Sequence, residues 1–182
     1  VKFIDHRGGS GFRAPTREDE KVLKEAEERI DSEFELSSLL SIERYVGKED
    51  RAAPYGVKEW RDTFSPRQLL THYEYLQAFD EVKPKIQNSY DQDTAEAILT
   101  LLTLIASKTL DRNSRASPID TSKGYPSNAV GGKLFSLQWA FVDNNLTAGD
   151  QCYQDVAEKC INSYEELVSY LHNTRQESGN VL

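Results

Sequence analysis

The sequence predicts a mainly α protein: a helical bundle of about four to five helices with a small N-terminal β-hairpin. Three observations carry that expectation. Apolar residues recur at helical spacing in four separate stretches. Helix-start residues stand in front of several of them. Strand-like alternation is confined to the N-terminal segment VKFIDHRGGSGFR, residues 1–13. A chain of 182 residues suffices for a single domain with its own core.

The first segment alternates and then turns on GGSG at residues 8–11, a hairpin or its remnant over residues 1–14. The glycines lack the GxGxxG spacing of a dinucleotide loop, so the turn is the simpler reading. Thr16 is placed to cap the first helix, and Glu18, Asp19 and Glu20 suit the positive end of its dipole. Val22, Leu23, Ala26, Ile30 and Phe34 then form an apolar stripe. Lys21–Glu25, Lys24–Glu28 and Glu25–Arg29 are spaced as i,i+4 pairs, so the charge run is a solvated helix face.

Residues 45–62 look irregular, with Pro54 and Gly56 bracketing a turn. The stretch WRDTFSPRQLL, residues 60–70, then opens a second helix. Ser65 caps it, Pro66 fits the first helical position, and Gln68 completes a capping box. Phe64 staples against Leu69. Leu69, Tyr73, Leu76 and Phe79 are the expected buried stripe, with Pro84 beyond the helix end. Helix initiation leaves Trp60, Arg61 and Arg67 unexplained.

A third helix is expected over about residues 92–110, capped by Asp91 or Asp93 and apolar on most sides, hence central to the bundle. Lys108 and Arg112 suit its negative end. Residues 111–133 are rich in Ser, Asn, Gly and Pro and look like a long exposed loop. From 108 to 133 five basic residues (Lys108, Arg112, Arg115, Lys123, Lys133) face two acidic ones (Asp111, Asp120), the one cationic segment of an acidic chain. LFSLQWAFVDNN, residues 134–145, is apolar and aromatic but of ambiguous type. A final amphipathic helix is expected over roughly 151–173, carrying Tyr153, Val156, Cys160, Tyr164, Leu167, Val168 and Leu171.

Composition excludes several classes. The net charge of −8 argues against a stand-alone DNA-coating protein, which needs clustered cations against phosphates. Cys152 and Cys160, eight residues apart on one helix, would lie roughly 12 Å apart at about 1.5 Å rise per residue. A disulfide needs Cα atoms within about 7 Å, so free thiols and a cytoplasmic location are expected. The longest apolar run, near 95–106, is interrupted by Glu96, Thr100 and Thr103 and falls short of the roughly 18 residues of a membrane span. The absence of any Met suggests a piece of a longer polypeptide.

His6, His72 and His172 are dispersed and lack metal-ligand spacing, and His72 is expected as a core or edge histidine. No GxSxG, HExxH or CxxC stretch occurs. Nothing marks two carboxylates as an acid–base pair.

Four stretches, in order, are similar to one family. FRAPTREDEKVLKEAEE (12–28) resembles (Y/F)-R-x-P-T-x-x-D leading into an acidic helix. YGVKEWRDTFSPRQLL (55–70) resembles Y-G-x-x-x-W-x-D-L-F-x-P-R-Q-L-L. SKTLDRNSR (107–115) resembles x-K-L-A-D-Y-N-S-R, and LQWAFVDNN (137–145) is similar to x-x-W-D-Y-A-E-x-N. Together they resemble the large adenine-specific DNA methylases that also carry a zinc ribbon. The chain departs from the pattern at Arg112 (often Tyr), at Ala116 and Ser117 (where a Trp often follows) and at Ala140 (Asp).

The resemblance makes residues 15–146 a family-like helical segment and 147–182 an added amphipathic helix. In that family the segment lies between the methyl-donor loop and the Asp-Pro-Pro-Tyr motif, and this chain contains neither. The resemblance therefore implies a segment with no catalytic residues, no cofactor of its own and no metal, in a parent that uses S-adenosylmethionine. It implies as partners DNA, through the parent, and the parent's catalytic halves.

Arg61, Arg67, Lys108, Arg112, Asn113, Arg115, Lys123, Lys133 and Trp139 are the candidate nucleic-acid-binding residues. Arg61 and Arg67 flank a helix N-terminus suited to a phosphate. The other cations and Asn113 match phosphates or base edges, and Trp139 an unpaired base. The alternative is a structural, protein-interaction module that contacts no nucleic acid and docks other parts of its parent through the apolar 95–106 helix and the Tyr/Leu face of 153–171. In it Arg67 pairs with an acid elsewhere in the chain, Asn113 closes a helix, and both tryptophans are core.

Overall fold

The computed structural model describes residues 2–4, 10–32, 53–120, 122, 124–129, 141–149 and 151–179. Strands β1 (Lys2–Ile4) and β2 (Ser10–Phe12) pair antiparallel, with Lys2 opposite Phe12 and Ile4 opposite Ser10. Ser10 and Gly11 of the GGSG run thus belong to the strand, not to the turn.

Helix α1 (Arg17–Ser32) starts as its caps predict. The Thr16 hydroxyl accepts from Asp19 N, and the Asp19 carboxylate accepts from Thr16 N at 2.7 Å. Arg13 clasps that carboxylate and, with Thr16, holds it well below the usual Asp range. Lys21–Glu25 and Lys24–Glu28 pair on the wet face, while Arg29 reaches Glu74 on the next long helix. Phe34 lies outside the described residues.

Helix α2 (Pro66–Ser89) has Pro66 at its first turn and Ser65 as N-cap. Ile30 of α1 and Leu69 of α2 form a small apolar core, with Phe64, Leu70 and Tyr73 against it. Phe64, the expected staple residue, packs against this Ile30–Leu69 cluster. Two expectations fail. Pro84 sits inside α2, not beyond it. Pro84 removes one N–H and crowds the Asp80 carbonyl, but both residues are exposed, where water can solvate that carbonyl. Leu76 is 55% exposed; the inward positions are taken by Gln68, His72 and Ile86.

Helix α3 (Gln92–Arg112) is capped by Asp91, whose Oδ1 accepts from Thr94 N at 3.1 Å. It packs against both α2 and helix α4 (Tyr153–Gly179), but its apolar surface is not covered all round, with Leu104 and Leu110 exposed. The Tyr75 hydroxyl of α2 donates to Leu102 O of α3 at 2.8 Å. The Tyr75 ring stacks on Tyr153 of α4, with centroids 4.4 Å apart. Cys152 and Cys160 are free thiols.

The loop after α3 is not the exposed one expected. Asn113, Ser114, Ala116 and Ser117 are buried. A short hairpin follows, β3 (Ile119–Asp120) with β4 (Tyr125–Pro126). It folds back on α3, where Ala129 N donates to Asp111 O at 2.7 Å. Short polar side chains make this burial possible, because they satisfy backbone groups locally. Ser114 N donates to Ser117 Oγ at 3.0 Å, and Ala116 N to Ser114 Oγ at 3.2 Å. Among the described residues no helix is long and apolar enough to cross a membrane.

Candidate functional site

Three of the four motif stretches meet at one end of the bundle: the start of α2, the end of α3 and the extended segment 141–145. The junction grows from the α2 cap. Ser65 Oγ accepts from Gln68 N at 3.2 Å, and Gln68 Oε1 accepts from Ser65 N at 2.8 Å. That pairing turns the Gln68 amide nitrogen outward from the helix. Nε2 donates to Val142 O at 2.9 Å and, more weakly, to Asn113 Oδ1 at 3.4 Å. Gln68 and Asn113 are both fully buried, at 0% exposure.

Asn113 is the C-cap of α3, its N–H donating to Leu110 O at 3.4 Å. Its Oδ1 also accepts from Asn144 N at 3.0 Å. Its carbonyl lies 3.2 Å from His72 Nε2, and Tyr153 Oη lies 3.1 Å from His72 Nδ1. A carbonyl only accepts, so Nε2 carries the proton and Nδ1 accepts from Tyr153. Burial pushes the His72 pKa down, against the opposing pull of the Asn113 carbonyl. Burial likewise pushes the Tyr153 hydroxyl up to about 12. Phe64 closes the other side of His72, edge-on at 5.5 Å.

The charged candidates stand around this core. Arg67 Nε and its terminal nitrogen both lie 2.9 Å from Asp143 Oδ2, which also accepts weakly from Ser65 Oγ at 3.4 Å. Arg115 donates twice to the turn before α2, through its main-chain N to Thr63 O and through Nη1 to Asp62 O, both at 2.8 Å. Asp62 in turn accepts from Lys58 N and Glu59 N at 2.9 Å. Arg61 Nε lies 2.8 Å from Glu59 Oε2, a pairing of charges without hydrogen-bond alignment. Arg112 Nε and Lys108 Nζ converge on Asn128 Oδ1 at 3.0 and 3.5 Å, and Lys108 also faces Asp111 at 3.8 Å.

The structure thus brings Arg67, Asn113 and Arg115 into one network, with Arg61 beside it and Lys108 and Arg112 on a separate bond to the β3–β4 hairpin. Lys123, Lys133 and Trp139 lie outside the described residues. The Asn113 side chain has no surface from which to meet a base edge. Trp60, expected as core in the alternative reading, is instead 49% exposed.

The sequence reading missed three members. Gln68 was visible only as a cap partner, and Asn144 and Tyr153 carry no local signal, since their partners are 31 to 81 residues away in the chain. His72, expected as a core or edge histidine, is buried at 8% exposure, but its partners were not legible. Gln151 is a fifth unusual residue, buried with a positive φ of 62°. Its N–H donates to Asp155 Oδ2 at 2.8 Å, and its carbonyl accepts from Asn144 Nδ2 at 3.4 Å. Asn113 Nδ2 and Gln151 Oε1 are buried without a hydrogen-bond partner.

Chemically the junction is an internal clamp. Its one imidazole is desolvated and held between a carbonyl and a phenol. No family model, curated protein or solved structure gives a significant match to the chain.

Proposed function

We propose that this chain is a non-catalytic helical segment of an adenine-specific DNA methyltransferase, and that it holds and docks other parts of its parent. One observation carries the reading: three family-like motifs are joined to each other through buried hydrogen bonds. Motif residues that satisfy one another serve the architecture. Gln68, Asn113 and Val142 contribute one group each to that clamp. The methyl donor and the Asp-Pro-Pro-Tyr chemistry belong, on this reading, to the parent's other halves. Free thiols at Cys152 and Cys160 support a reducing, cytoplasmic setting.

One observation favours a second reading, direct support of DNA binding. The side chains of Arg61, Arg67 and Lys108 keep 39–40% exposure despite their partners. Binding of duplex DNA against salt separates the two. A protein making many phosphate contacts loses roughly a thousandfold or more in affinity from about 50 to 200 mM salt. We expect weak binding and a slope near zero, unchanged in Arg61→Ala/Lys108→Ala. A steep slope that flattens in that variant overturns the docking reading in favour of DNA contact. Co-expression with the parent's catalytic halves gives the positive arm: co-purification is expected, and failure to associate counts against docking.

A further inference from the structure

The apolar face of α4 runs on after its packing ends. In the first turns Val156 is 3% exposed and Tyr153 is tied to Tyr75 and His72. From Ile161 to Thr174 every residue is exposed. Yet Ile161, Tyr164, Val168 and Leu171 form an apolar stripe in line with Tyr153, at 50, 52, 47 and 53% exposure. Their spacing of three, four and three residues is that of a two-helix seam, with Ala157 one step before it.

Charge beside the seam selects the occupant. The positions just after each inner seam residue carry Glu158 and Glu165, then His172. The opposite flank carries Cys160, Leu167 and Thr174, none of them a cation. In an antiparallel pair of identical helices, like flanks meet, and Glu165 would face Glu165. In a parallel pair the acidic flank would face Cys160, Leu167 and Thr174, and gain no ion pair. A second copy is therefore a poor fit on either geometry.

We propose that the Ile161–Leu171 face of α4 docks a basic amphipathic helix of another polypeptide segment. The apolar seam of that helix covers Ile161, Tyr164, Val168 and Leu171, and its Lys or Arg residues pair with Glu158 and Glu165. The inference rests on the docking reading above and adds the chemistry of the partner. It also lies next to an existing interface, because Tyr153, on the same side of the helix as Tyr164 and Leu171, already stacks on Tyr75 inside the domain.

The test uses the full chain and two synthetic helical peptides of about four heptads. Both carry the same Leu/Ile seam, one with Lys and the other with Glu along the flank. The Lys peptide is expected to bind at least about tenfold more tightly, since like charges apposed at an interface are strongly disfavoured. Glu158→Lys/Glu165→Lys should invert the preference. Val168→Ser/Leu171→Ser should abolish binding of both while leaving helical circular dichroism unchanged, because those side chains are exposed in the free chain. Equal binding of the two peptides, or binding of neither, overturns the proposal. So does a dimer of the chain, seen by sedimentation, that Val168→Ser/Leu171→Ser dissociates. A steep DNA salt slope with the peptide preference intact removes the docking reading alone; a flat slope without any preference removes this surface alone.

Discussion

Replacing Gln68 with leucine removes three hydrogen bonds while nearly conserving volume. Ser65 N–H, in a buried residue, loses its 2.8 Å acceptor. Val142 O, in a half-buried residue, loses its 2.9 Å donor. Asn113 Oδ1 keeps its bond from Asn144 N, so its weak 3.4 Å contact counts for little. Two groups left unpaired cost about 1–3 kcal/mol each. We therefore expect Gln68→Leu to lose about 3 kcal/mol, a fall in Tm of roughly 6–12 °C for a chain of this size. Urea denaturation followed by circular dichroism measures it. Gln68→Glu sharpens the test. One carboxyl oxygen can still accept from Ser65 N–H, but the other then meets Val142 O, an acceptor. Only the protonated acid can donate there, so the folded-state pKa rises above the ordinary value of about 4.3. A raised pKa gives stability that is present below pH about 4.3 and lost as pH climbs through the folded value. Gln68→Glu should approach wild type near pH 4 and fall well below it at pH 7. A leucine variant with an unchanged urea midpoint, or a glutamate variant with a flat pH response, refutes the clamp.

The other expectations follow from neighbouring atoms. Ser65→Ala removes the α2 cap, whose hydroxyl accepts from Gln68 N, and should cost about 1 kcal/mol in the same urea assay. Burial lowers the His72 pKa, so its stability contribution is full above the unfolded value of about 6.5 and is lost as pH falls from there through the lower folded value. Urea midpoints between pH 8 and 5 should show that loss, and His72→Gln should reduce it. The Tyr153 hydroxyl is raised to about 12, so its contribution holds below the ordinary tyrosine value of about 10 and disappears as pH rises toward 12. Burial also raises the Tyr75 hydroxyl, so alkaline absorbance titration should show late phenols, the latest of which is missing in Tyr153→Phe.

Local chemistry was legible and distant chemistry was not. Thr16 with Asp19, Ser65 with Gln68, and Asp91 all act within four or five residues of themselves, and each does what its spacing predicts. Gln68 has a second half that no local pattern reveals: its donor end finds Val142, 74 residues on. The segment 113–117 looks like solvent-exposed loop because it is Ser- and Asn-rich, and the same groups let it be buried by bonding its own backbone. Helical periodicity placed Leu76 inward, but the packed side of α2 there is narrower than a full stripe, and polar Gln68 and His72 hold buried positions instead. Of the nine candidate DNA contacts, six are described, and their exposure and partners depend on long-range packing that residue type alone does not encode.

A polar core of this kind is a poor source of stability, because each buried amide must first lose its water. Its value lies in geometry, since packings that break these bonds would strand further buried polar groups and are penalised. Here the network fixes three things at once: the entry of α2 through Ser65 and Gln68, the exit of α3 through Asn113, and the start of α4 through Tyr153 and the Asn144–Gln151 contact. The start of α4 is also tied to Leu146, whose carbonyl accepts from Tyr153 N at 3.0 Å. A helix held at its first turn and bare from Ile161 to Thr174 projects a surface in a set direction. Holding α4 so firmly where it begins is physically useful if something is to meet it where it is uncovered.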